Sequence, residues 1–424
     1  MNLSSWKFNK TTFFAGILTL TVQLAAGQAN RIAQDSALFK FFASLDRSDS
    51  MVVSILHLGD SHIQAGFFPE ATASLLQRDF GDAGRGWVFP WNLANTNGPG
   101  DYRWNSTARW SADRIIDKYK PSVLGPGAIV ISSTQASPAL AYNRREDSPE
   151  NDISQAELFY DAGPEEATVV SPGADINIFG PPFRNASSTV KVATLNFEEP
   201  VQNFQVRWDD KGSQPFHFYG ALLFNGKPGV QYNAVGINGA MYSQYNDANN
   251  TLVAEMDVMK PQLVIISLGT NEAYSSLNAA NFRDQIDSTV TVIRRYQPGA
   301  SILLTTPPEC KRVSKHAFRK KVGKKYKTFY KISYYPNPYI AVVTQQIMSY
   351  GKEKGIACWN FNAENRFRES EFAGGWSPDH IHFNVRGYQL QGKLLYEALH
   401  QSYLKYKKYA TAHYNVKEDD DRAE

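Results

Sequence analysis

The stretch VVSILHLGDSH, residues 52–62, decides how this chain folds. Its first seven residues form an apolar, β-branched run without polar alternation, which is typical of a strand buried on both faces of a parallel sheet. Gly59, Asp60 and Ser61 follow directly, so the serine lies at the carboxyl end of that strand, where α/β proteins bind ligands. Gly-Asp-Ser is also a common turn tripeptide, and a purely structural turn is the alternative interpretation.

Further apolar runs and helical patterns alternate along the chain. The other runs of strand length are Leu263–Leu268, Ile302–Thr306 and Ile356–Phe361. The helical patterns are Pro69–Phe80, Tyr245–Met259, Asn281–Tyr296, Pro338–Lys354 and Val385–Tyr406. Strand–helix alternation of this kind predicts an α/β layer fold.

Residues 101–224 interrupt this alternation. They are rich in Pro, Gly and Asn and contain short β-prone pieces such as Ala128–Ser132, Thr189–Phe197 and Phe204–Trp208, with no convincing amphipathic helix. Short strands separated by turn signals predict an inserted β-sandwich. The α/β domain would then comprise residues 28–100 and 225–410.

The N-terminal residues 1–27 have the pattern of a secretory signal peptide. Lys7 and Lys10 precede an apolar region, Phe13–Ala26, and Ala25-Ala26-Gly27 gives a small-residue cleavage site. The apolar region is too short for a comfortable membrane span, so we expect an exported protein, periplasmic or at the cell surface or beyond, without a stable membrane anchor. Loss of the two lysines lowers the formal charge from +3 to +1, which leaves no global electrostatic case for nucleic acid.

Three other features of the sequence stand apart. Lys311–Lys331 contains ten Lys or Arg and no acid; a solvated charged loop is expected, with contact to anionic wall polymers or a membrane surface as the alternative. Residues 411–424 include the acidic run Glu418–Asp421 and predict a disordered tail. Cys310 and Cys358 are the two cysteines, and the sequence leaves open whether they form a disulfide or are buried free thiols.

Two short motifs after predicted strands carry groups that could stabilise a negative oxygen. Gly236-Ile237-Asn238-Gly239 follows Tyr232–Val235, and its glycines would let a backbone N–H approach a ligand. Gly269-Thr270-Asn271-Glu272 follows Leu263–Leu268, and Asn271 could aim its carboxamide at a developing oxyanion. The structural alternatives are a tight strand-to-helix turn for the first motif and a helix N-cap for the second.

The last motif, Asp379-His380-Ile381-His382, provides an acid and a base at three-residue spacing. That spacing lets the Asp379 carboxylate hydrogen-bond Nδ1 of His382, leaving Nε2 to take a proton from a serine. Asp379, His380 and His382 are also possible metal ligands, but ligands this close in sequence cannot easily surround one ion.

These four motifs together resemble the SGNH-hydrolase (GDSL-esterase) family over residues about 50–95 and 230–405. The resemblance implies a flavodoxin-like three-layer α/β/α domain. It assigns catalysis to Ser61, His382 and Asp379, and an oxyanion hole to the N–H groups of Ser61 and Gly239 and the side chain of Asn271, with no cofactor or metal. Two positions depart from the common pattern: His62 stands where Leu is usual, and Glu272 where many members carry Asp. One general base suffices, so His62 is expected to be structural.

Within the family, the Gly-Asp-Ser-His block, the long β insertion and the signal peptide resemble bacterial peptidoglycan O-acetylesterases with a carbohydrate-binding-module-like insert. Residues 81–86 and Tyr102–Trp104 add local similarity. This implies a secreted esterase that removes O-acetyl groups from a cell-wall glycan, most simply peptidoglycan. An acetyl-xylan-type esterase, or an inactive glycan-binding protein, is the alternative, and the oligomeric state is open. Packing is the expected role of five tryptophans taken singly, with sugar stacking as the alternative: Trp87, Trp91, Trp104, Trp110 and Trp208.

Overall fold

A computed structural model describes residues 30–119, 123–145, 152–164, 167–209, 212–247 and 249–421. The predicted signal peptide, residues 1–27, lies outside this part of the chain.

The chain alternates strands and helices at both ends, and the described residues of its middle part form strands without helices. The strands, numbered in chain order, are β1 Ile32–Ala33, β2 Val52–Gly59, β3 Gly86–Val88, β4 Tyr102–Asn105, β5 Ser111–Arg114, β6 Ile129–Ser133, β7 Ala139–Arg144, β8 Ile153–Asp161, β9 Thr168–Val170, β10 Ala174–Phe179, β11 Val190–Val201, β12 Asn203–Asp209, β13 Phe216–Phe224, β14 Gly229–Gly236, β15 Leu263–Ser267, β16 Ser301–Thr305, β17 Lys311–Val322, β18 Lys325–Pro336 and β19 Ala357–Trp359. The α-helices are α1 Phe39–Leu45, α2 Ser61–Gln64, α3 Phe67–Phe80, α4 Tyr242–Asp247, α5 Asn249–Met259, α6 Thr270–Tyr274, α7 Ala279–Tyr296, α8 Pro338–Lys354, α9 Phe361–Phe367 and α10 Val385–Asp421.

The central sheet has the strand order β1-β19-β16-β15-β2-β14. All neighbours are parallel except β1, which pairs antiparallel with β19 at the edge. The five parallel strands, counted along the chain, have the order 2-1-3-4-5, which is the flavodoxin-like order. The predicted α/β fold is confirmed, and the order reverses next to β2, where such folds bind ligands at the carboxyl ends of the strands.

Burial explains why the strands of this sheet lack polar alternation. From the second residue of β2 onward every position is buried, and the first four residues of β15 are buried as well. One face packs its apolar side chains with α1, α3 and α10, and the other with α4, α5, α7 and α8. A strand covered by helices on both faces needs apolar residues at every position.

The described strands within residues 102–224 form two antiparallel sheets. One has the order β10-β11-β8-β13-β6-β5, and β3 joins it by pairing with β13; the other has the order β4-β7-β12-β9. The sheets contact each other through aromatic rings: the centroids of Trp208 and Phe216 lie 4.7 Å apart, and those of Trp104 and Phe218 5.6 Å. Their buried side chains belong to the same apolar cluster as Leu56 of the central sheet. The inserted region is therefore packed firmly onto the α/β domain.

The basic segment is a regular hairpin and not the charged loop that the sequence predicted. β17 and β18 pair without interruption from Lys311↔Pro336 to Val322↔Lys325. Its sequence alternates charged residues with β-branched and aromatic ones, as in Lys325-Tyr326-Lys327-Thr328-Phe329, and this alternation has the two-residue period of a strand. The loop prediction is wrong because a dense run of charge is compatible with a strand when both faces of a hairpin are exposed to water.

The C-terminal segment also differs from the prediction. Residues 411–421 continue α10 as a helix, where a disordered acidic tail was expected. Between Gly392 and the chain end there is no Gly or Pro to stop the helix, and Lys, Ala and Glu favour it.

Both cysteines are buried free thiols, which answers the question that the sequence left open. Across the described ranges, no helix is both long and apolar enough to cross a bilayer.

Candidate active site

Ser61 begins a short helix immediately beyond the central strand β2. The Asp60 side chain caps this helix α2 by accepting the backbone N–H of His62 at 2.9 Å. Gly59 is required at the turn: a Cβ there would lie 2.3 Å from Cγ1 of Ile63 and 2.9 Å from the carbonyl oxygen of Ser267. The tight turn fixes the serine at the carboxyl edge of the sheet.

Ser61, His382 and Asp379 form one hydrogen-bonded chain. Oγ of Ser61 lies 2.8 Å from Nε2 of His382, and Nδ1 of the same ring lies 2.7 Å from Oδ2 of Asp379. The second carboxylate oxygen, Oδ1, accepts the backbone N–H groups of Ile381 at 2.9 Å and His382 at 3.0 Å. These bonds fold the loop on itself and hold the ring with Nε2 directed at the serine, the arrangement of a hydroxyl, a base and an orienting acid.

Asp379, the acid of this hydrogen-bonded triad, is held in its charged form. Partial burial opposes ionisation, but hydrogen bonds from the His382 ring and from the backbone N–H groups of His382 and Ile381 outweigh it and lower the pKa of Asp379. A charged acceptor stabilises the imidazolium that forms when His382 takes a proton. The side chains of His382 and Asp379 remain 34% and 45% exposed, so the site opens at the surface.

The two other predicted motifs lie beside the serine. Gly239 follows β14 with φ +84, a left-handed conformation that favours glycine. Asn271, in α6 after β15, donates its side-chain Nδ2 to the carbonyl oxygen of Ala240 at 3.0 Å and to Oδ2 of Asp60 at 3.2 Å. The structure thus brings all five predicted site residues to one edge of the sheet.

Asp60 is a site residue whose part sequence reasoning missed. It is fully buried, with Oδ1 bound to the N–H of His62 and Oδ2 to the Asn271 amide, so it links the Ser61 turn to the predicted oxyanion donor. Burial raises the pKa of Asp60 to about 8, and the neighbouring Glu272 adds to the rise. The sequence did contain a signal for this role of Asp60, because it places an acid between Gly59 and Ser61 at the end of a buried strand.

Glu272 is a second buried carboxyl group behind the site. Oε1 accepts the backbone N–H of Tyr242 at 2.8 Å, while Oε2 has no hydrogen-bond partner within the described part of the chain. Burial raises the pKa of Glu272 to about 7. The protonated acid is therefore favoured in the folded protein, whereas an unfolded chain would ionise it near its usual pKa.

We expect Glu272→Gln to remove part of the loss of stability at alkaline pH. Because the folded pKa of Glu272 lies above the unfolded value, the folded state binds more protons, and unfolding becomes easier as pH rises from about 4.5 to 7. A neutral amide resembles the protonated acid and cannot ionise. The difference in free energy of unfolding between the variant and wild type should therefore be roughly 1–3 kcal/mol more in favour of the variant at pH 8.5 than at pH 5. Urea unfolding at both pH values measures this, with the exposed Glu353→Gln as the control. Equal pH slopes for wild type and Glu272→Gln would contradict it.

The two histidines nearest the site have packing contacts of their own. The buried ring of His62 lies beside that of His382, centroids 5.1 Å apart, and its Nδ1 lies 2.9 Å from the Tyr388 hydroxyl. Burial, together with the nearby His382, lowers the pKa of His62 to about 3, which fits a neutral packing residue. His380 packs its ring on Tyr334, centroids 4.2 Å apart. No group of three or more His, Cys, Asp or Glu side chains among the described residues is arranged to hold a metal ion.

The tryptophans considered for sugar stacking pack in the core. Trp87, Trp91, Trp104 and Trp208 are buried, and Trp110 packs partly buried against the same cluster. Arg85, whose contact with substrate the sequence left open, is paired with Asp101, its Nη2 lying 3.1 Å from Oδ1. Packing, the expected role of each tryptophan, is confirmed for the four that are buried.

Comparisons with known proteins agree with this geometry. Residues 202–390 match the family model described as GDSL-like Lipase/Acylhydrolase family, a span that contains Gly239, Asn271, Asp379 and His382. A search of curated proteins finds no match. A solved structure of a peptidoglycan O-acetylesterase is 21% identical, with a TM-score of 0.67 over 87% of this chain and 96% of that one, and shows a shared fold.

Two further solved structures are similar over a smaller part. A lipase/acylhydrolase from Enterococcus faecalis is 19% identical with a TM-score of 0.30, covering 40% of this chain and 75% of that one. An acetylxylan esterase from Geobacillus stearothermophilus is 15% identical with a TM-score of 0.29, covering 40% and 73%. Residues 202–390 therefore resemble a GDSL-like lipase/acylhydrolase domain, and this match together with the four converging motifs identifies the protein as a carboxylic ester hydrolase.

Proposed function

We propose that this protein is an exported serine esterase that removes O-acetyl groups from a cell-wall glycan, peptidoglycan in the first place. The observation that carries the proposal is the continuous chain from Ser61 Oγ to His382 Nε2, and from His382 Nδ1 to the Asp379 carboxylate, at 2.8 and 2.7 Å. It supplies a nucleophile, a general base and an ionised orienting acid.

In the proposed reaction, His382 Nε2 takes the proton of Ser61 as Oγ attacks the acetyl carbonyl carbon. The tetrahedral intermediate collapses when the protonated His382 gives its proton to the sugar oxygen. The bond between that oxygen and the acetyl carbon breaks, the sugar departs with a free hydroxyl, and the acetyl group stays on Ser61. Water, deprotonated by the same ring, attacks this acyl-enzyme; Oγ departs, regains the proton and acetate is released.

The Asn271 carboxamide, with the N–H groups of Ser61 and Gly239, is proposed to stabilise the oxyanion of both tetrahedral intermediates. In this structure Nδ2 of Asn271 donates to Oδ2 of Asp60 at 3.2 Å and to the Ala240 carbonyl oxygen at 3.0 Å, so stabilisation of the oxyanion requires that one of these bonds be exchanged for it. Because these bonds fix the carboxamide next to the Ser61 turn, only one hydrogen bond has to be exchanged when the oxyanion forms.

Asn271→Ala is expected to lower kcat by about 10²- to 10³-fold while changing KM little, because the lost hydrogen bond forms with the transition state. Steady-state hydrolysis of p-nitrophenyl acetate measures both constants. Asn177→Ala, on an exposed strand of the inserted sheets, is the control. A rise in KM with unchanged kcat would show that Asn271 binds the ground state instead.

The choice of a polymeric substrate is supported by accessibility and by overall likeness. His382 and Asp379 are each more than one third exposed, so an acetyl group on a long chain can reach the serine without entering a deep cavity. The structural likeness to a peptidoglycan O-acetylesterase extends over 87% of the chain. We propose further that residues 101–224 form an inserted β-sandwich domain of the carbohydrate-binding-module type, and that residues 1–27 direct export and are removed.

Acetate release separates the substrate candidates. Purified protein is incubated with O-acetylated peptidoglycan and, in parallel, with acetyl-xylan, and free acetate is measured, with Ser61→Ala as the blank. We expect release from peptidoglycan to exceed release from acetyl-xylan. Release from acetyl-xylan alone would overturn the cell-wall proposal and leave the esterase chemistry intact.

A further inference from the structure

The hairpin β17–β18 is a rigid arm on the surface of the hydrolase domain. Each strand has twelve residues, so the arm is about 40 Å long. Nearly every residue from Lys315 to Lys331 is exposed, which means that the arm adds little to the core that folds the enzyme. A long two-stranded ribbon that buries so little apolar surface is unusual unless a partner uses it.

The charge of the arm defines the class of partner. Residues 311–331 carry ten Lys or Arg and no acid. Within the described structure, none of these cations takes part in an ion pair, although such pairs occur elsewhere on the surface. Unpaired cations concentrated on one element attract a polyanion.

One face of the arm also carries an aromatic row. Tyr326, Tyr330 and Tyr334 are spaced four residues apart on β18 and so point to the same face, where they are 62%, 62% and 40% exposed. Across the ribbon on that face lie Lys315, Arg319 and Lys321, and the Arg319 guanidinium lies 5.8 Å from the centre of the Tyr326 ring. Planar rings beside cations fit a polymer with flat apolar surfaces and negative groups.

The aromatic row ends at the catalytic loop. The Tyr334 hydroxyl donates to the carbonyl oxygen of Pro378 at 3.0 Å, and the Tyr334 ring packs on His380, between Asp379 and His382 in sequence. The backbone N–H of Lys311 donates to the His380 carbonyl at 2.9 Å. Tyr334 and His380 also line a groove of about 1120 Å³ between the base of the arm and α8 and α9. A polymer lying along the arm would therefore reach the loop that carries Asp379 and His382.

We propose that the β17–β18 arm binds an anionic glycan strand, such as a cell-wall glycan bearing carboxylate-containing peptides, and guides it to Ser61. This inference rests on the proposed function and adds to it the means by which a polymeric substrate is held. The tip favours a polymer over a membrane: Lys321–Lys325 contains only Val322 as an apolar side chain, whereas a membrane-inserting hairpin would gather apolar groups at its tip.

Two arm variants test the proposal with the complete chain. Lys315→Gln/Arg319→Gln/Lys321→Gln removes three cations, and Tyr326→Ser/Tyr330→Ser removes the outer aromatic rings. The matched control, Lys40→Gln/Lys352→Gln/Lys408→Gln, removes three exposed cations away from the arm. Each is made with Ser61 intact for kinetics and in Ser61→Ala for binding, so that bound substrate is not consumed.

Each arm variant is expected to lower the ratio of acetate release from O-acetylated peptidoglycan to p-nitrophenyl acetate turnover about tenfold, and the control variant to leave that ratio as in wild type. In Ser61→Ala, co-sedimentation with insoluble peptidoglycan should weaken to a similar degree for the arm variants, and wild-type binding should weaken with added salt. Circular dichroism checks that the variants are folded.

The outcomes distinguish failure of the arm from failure of the proposed function. Absence of acetate release from O-acetylated peptidoglycan by the wild type would overturn the proposed function. The co-sedimentation of the arm variants would still test whether the arm binds the glycan. Co-sedimentation of the arm variants equal to that of the control would overturn the arm proposal. Tighter arm-dependent binding to phosphatidylglycerol vesicles, or to single-stranded DNA, than to peptidoglycan would also overturn it, in favour of a membrane or nucleic-acid surface.

Discussion

Ser61→Ala is expected to lower kcat for ester hydrolysis by about 10⁴- to 10⁶-fold. The hydroxyl that lies 2.8 Å from Nε2 of His382 is the atom that would form the acyl-enzyme, and alanine offers no substitute. Without it, the remaining rate depends on water attacking an ester held against the oxyanion donors, and those donors alone provide only part of the acceleration.

The measurement for Ser61→Ala is p-nitrophenyl acetate hydrolysis at enzyme concentrations high enough to detect the residual rate. Ser288→Ala, on the exposed face of α7, is the control and should retain wild-type activity. Wild-type protein should also show a burst or a trapped acetyl adduct on Ser61 by mass spectrometry, which Ser61→Ala lacks. A variant that keeps more than about one hundredth of the wild-type rate would exclude Ser61 as the nucleophile.

Asp379→Asn should lower kcat by about 10⁴-fold, the magnitude seen when the triad acid of serine proteases is converted to its amide. The amide can donate its N–H to Nδ1 of His382, which places the ring proton on Nε2 and prevents that nitrogen from accepting the serine proton. The amide also removes the negative charge that stabilises imidazolium. The change keeps the shape of the side chain, so the loss would report the charge and tautomer rather than packing.

The pH dependence of this acid follows from its surroundings. Hydrogen bonds from His382 and Ile381 hold the pKa of Asp379 below its usual range despite partial burial. The carboxylate therefore stays ionised throughout the neutral and mildly acidic range, and its contribution is lost only as pH falls through the lowered pKa. Kinetics of Asp379→Asn and of the exposed control Asp284→Asn should differ at every pH above that point. Similar kcat values for the two variants would contradict the assigned role of Asp379.

Much of the core architecture could be predicted because it is encoded in local patterns. Unalternating apolar runs identified the strands β2, β15, β16 and β19, and the helix predicted at Pro338–Lys354 has those bounds in the structure. Burial on both faces imposes this composition on any strand of such a sheet, so the pattern can be read without knowledge of the neighbours.

Other features could not be predicted because they depend on partners distant in sequence. Composition gave packing as the expected role of the tryptophans but left sugar stacking open, and only the structure shows that Trp87, Trp91, Trp104 and Trp208 are buried in the core. The exposed aromatic surface is instead the tyrosine row of a segment read as a loop. Whether an aromatic ring faces a core or solvent depends on which sheet covers it, and local composition does not carry that information.

By itself, the sequence determined that this chain has a parallel-sheet domain with a serine, two oxyanion candidates and an acid–base pair at strand ends. It could do so because strand burial, turn glycines and the three-residue spacing of Asp379 and His382 are local properties. Only the tertiary structure decided that Ser61 and His382, 321 residues apart, meet at 2.8 Å, that Asp60 holds Asn271, and that the basic arm ends against the catalytic loop. Those contacts depend on the order of the strands in the sheet and on the packing of the loops at its edge. Both are set by burial of residues that are far apart in sequence.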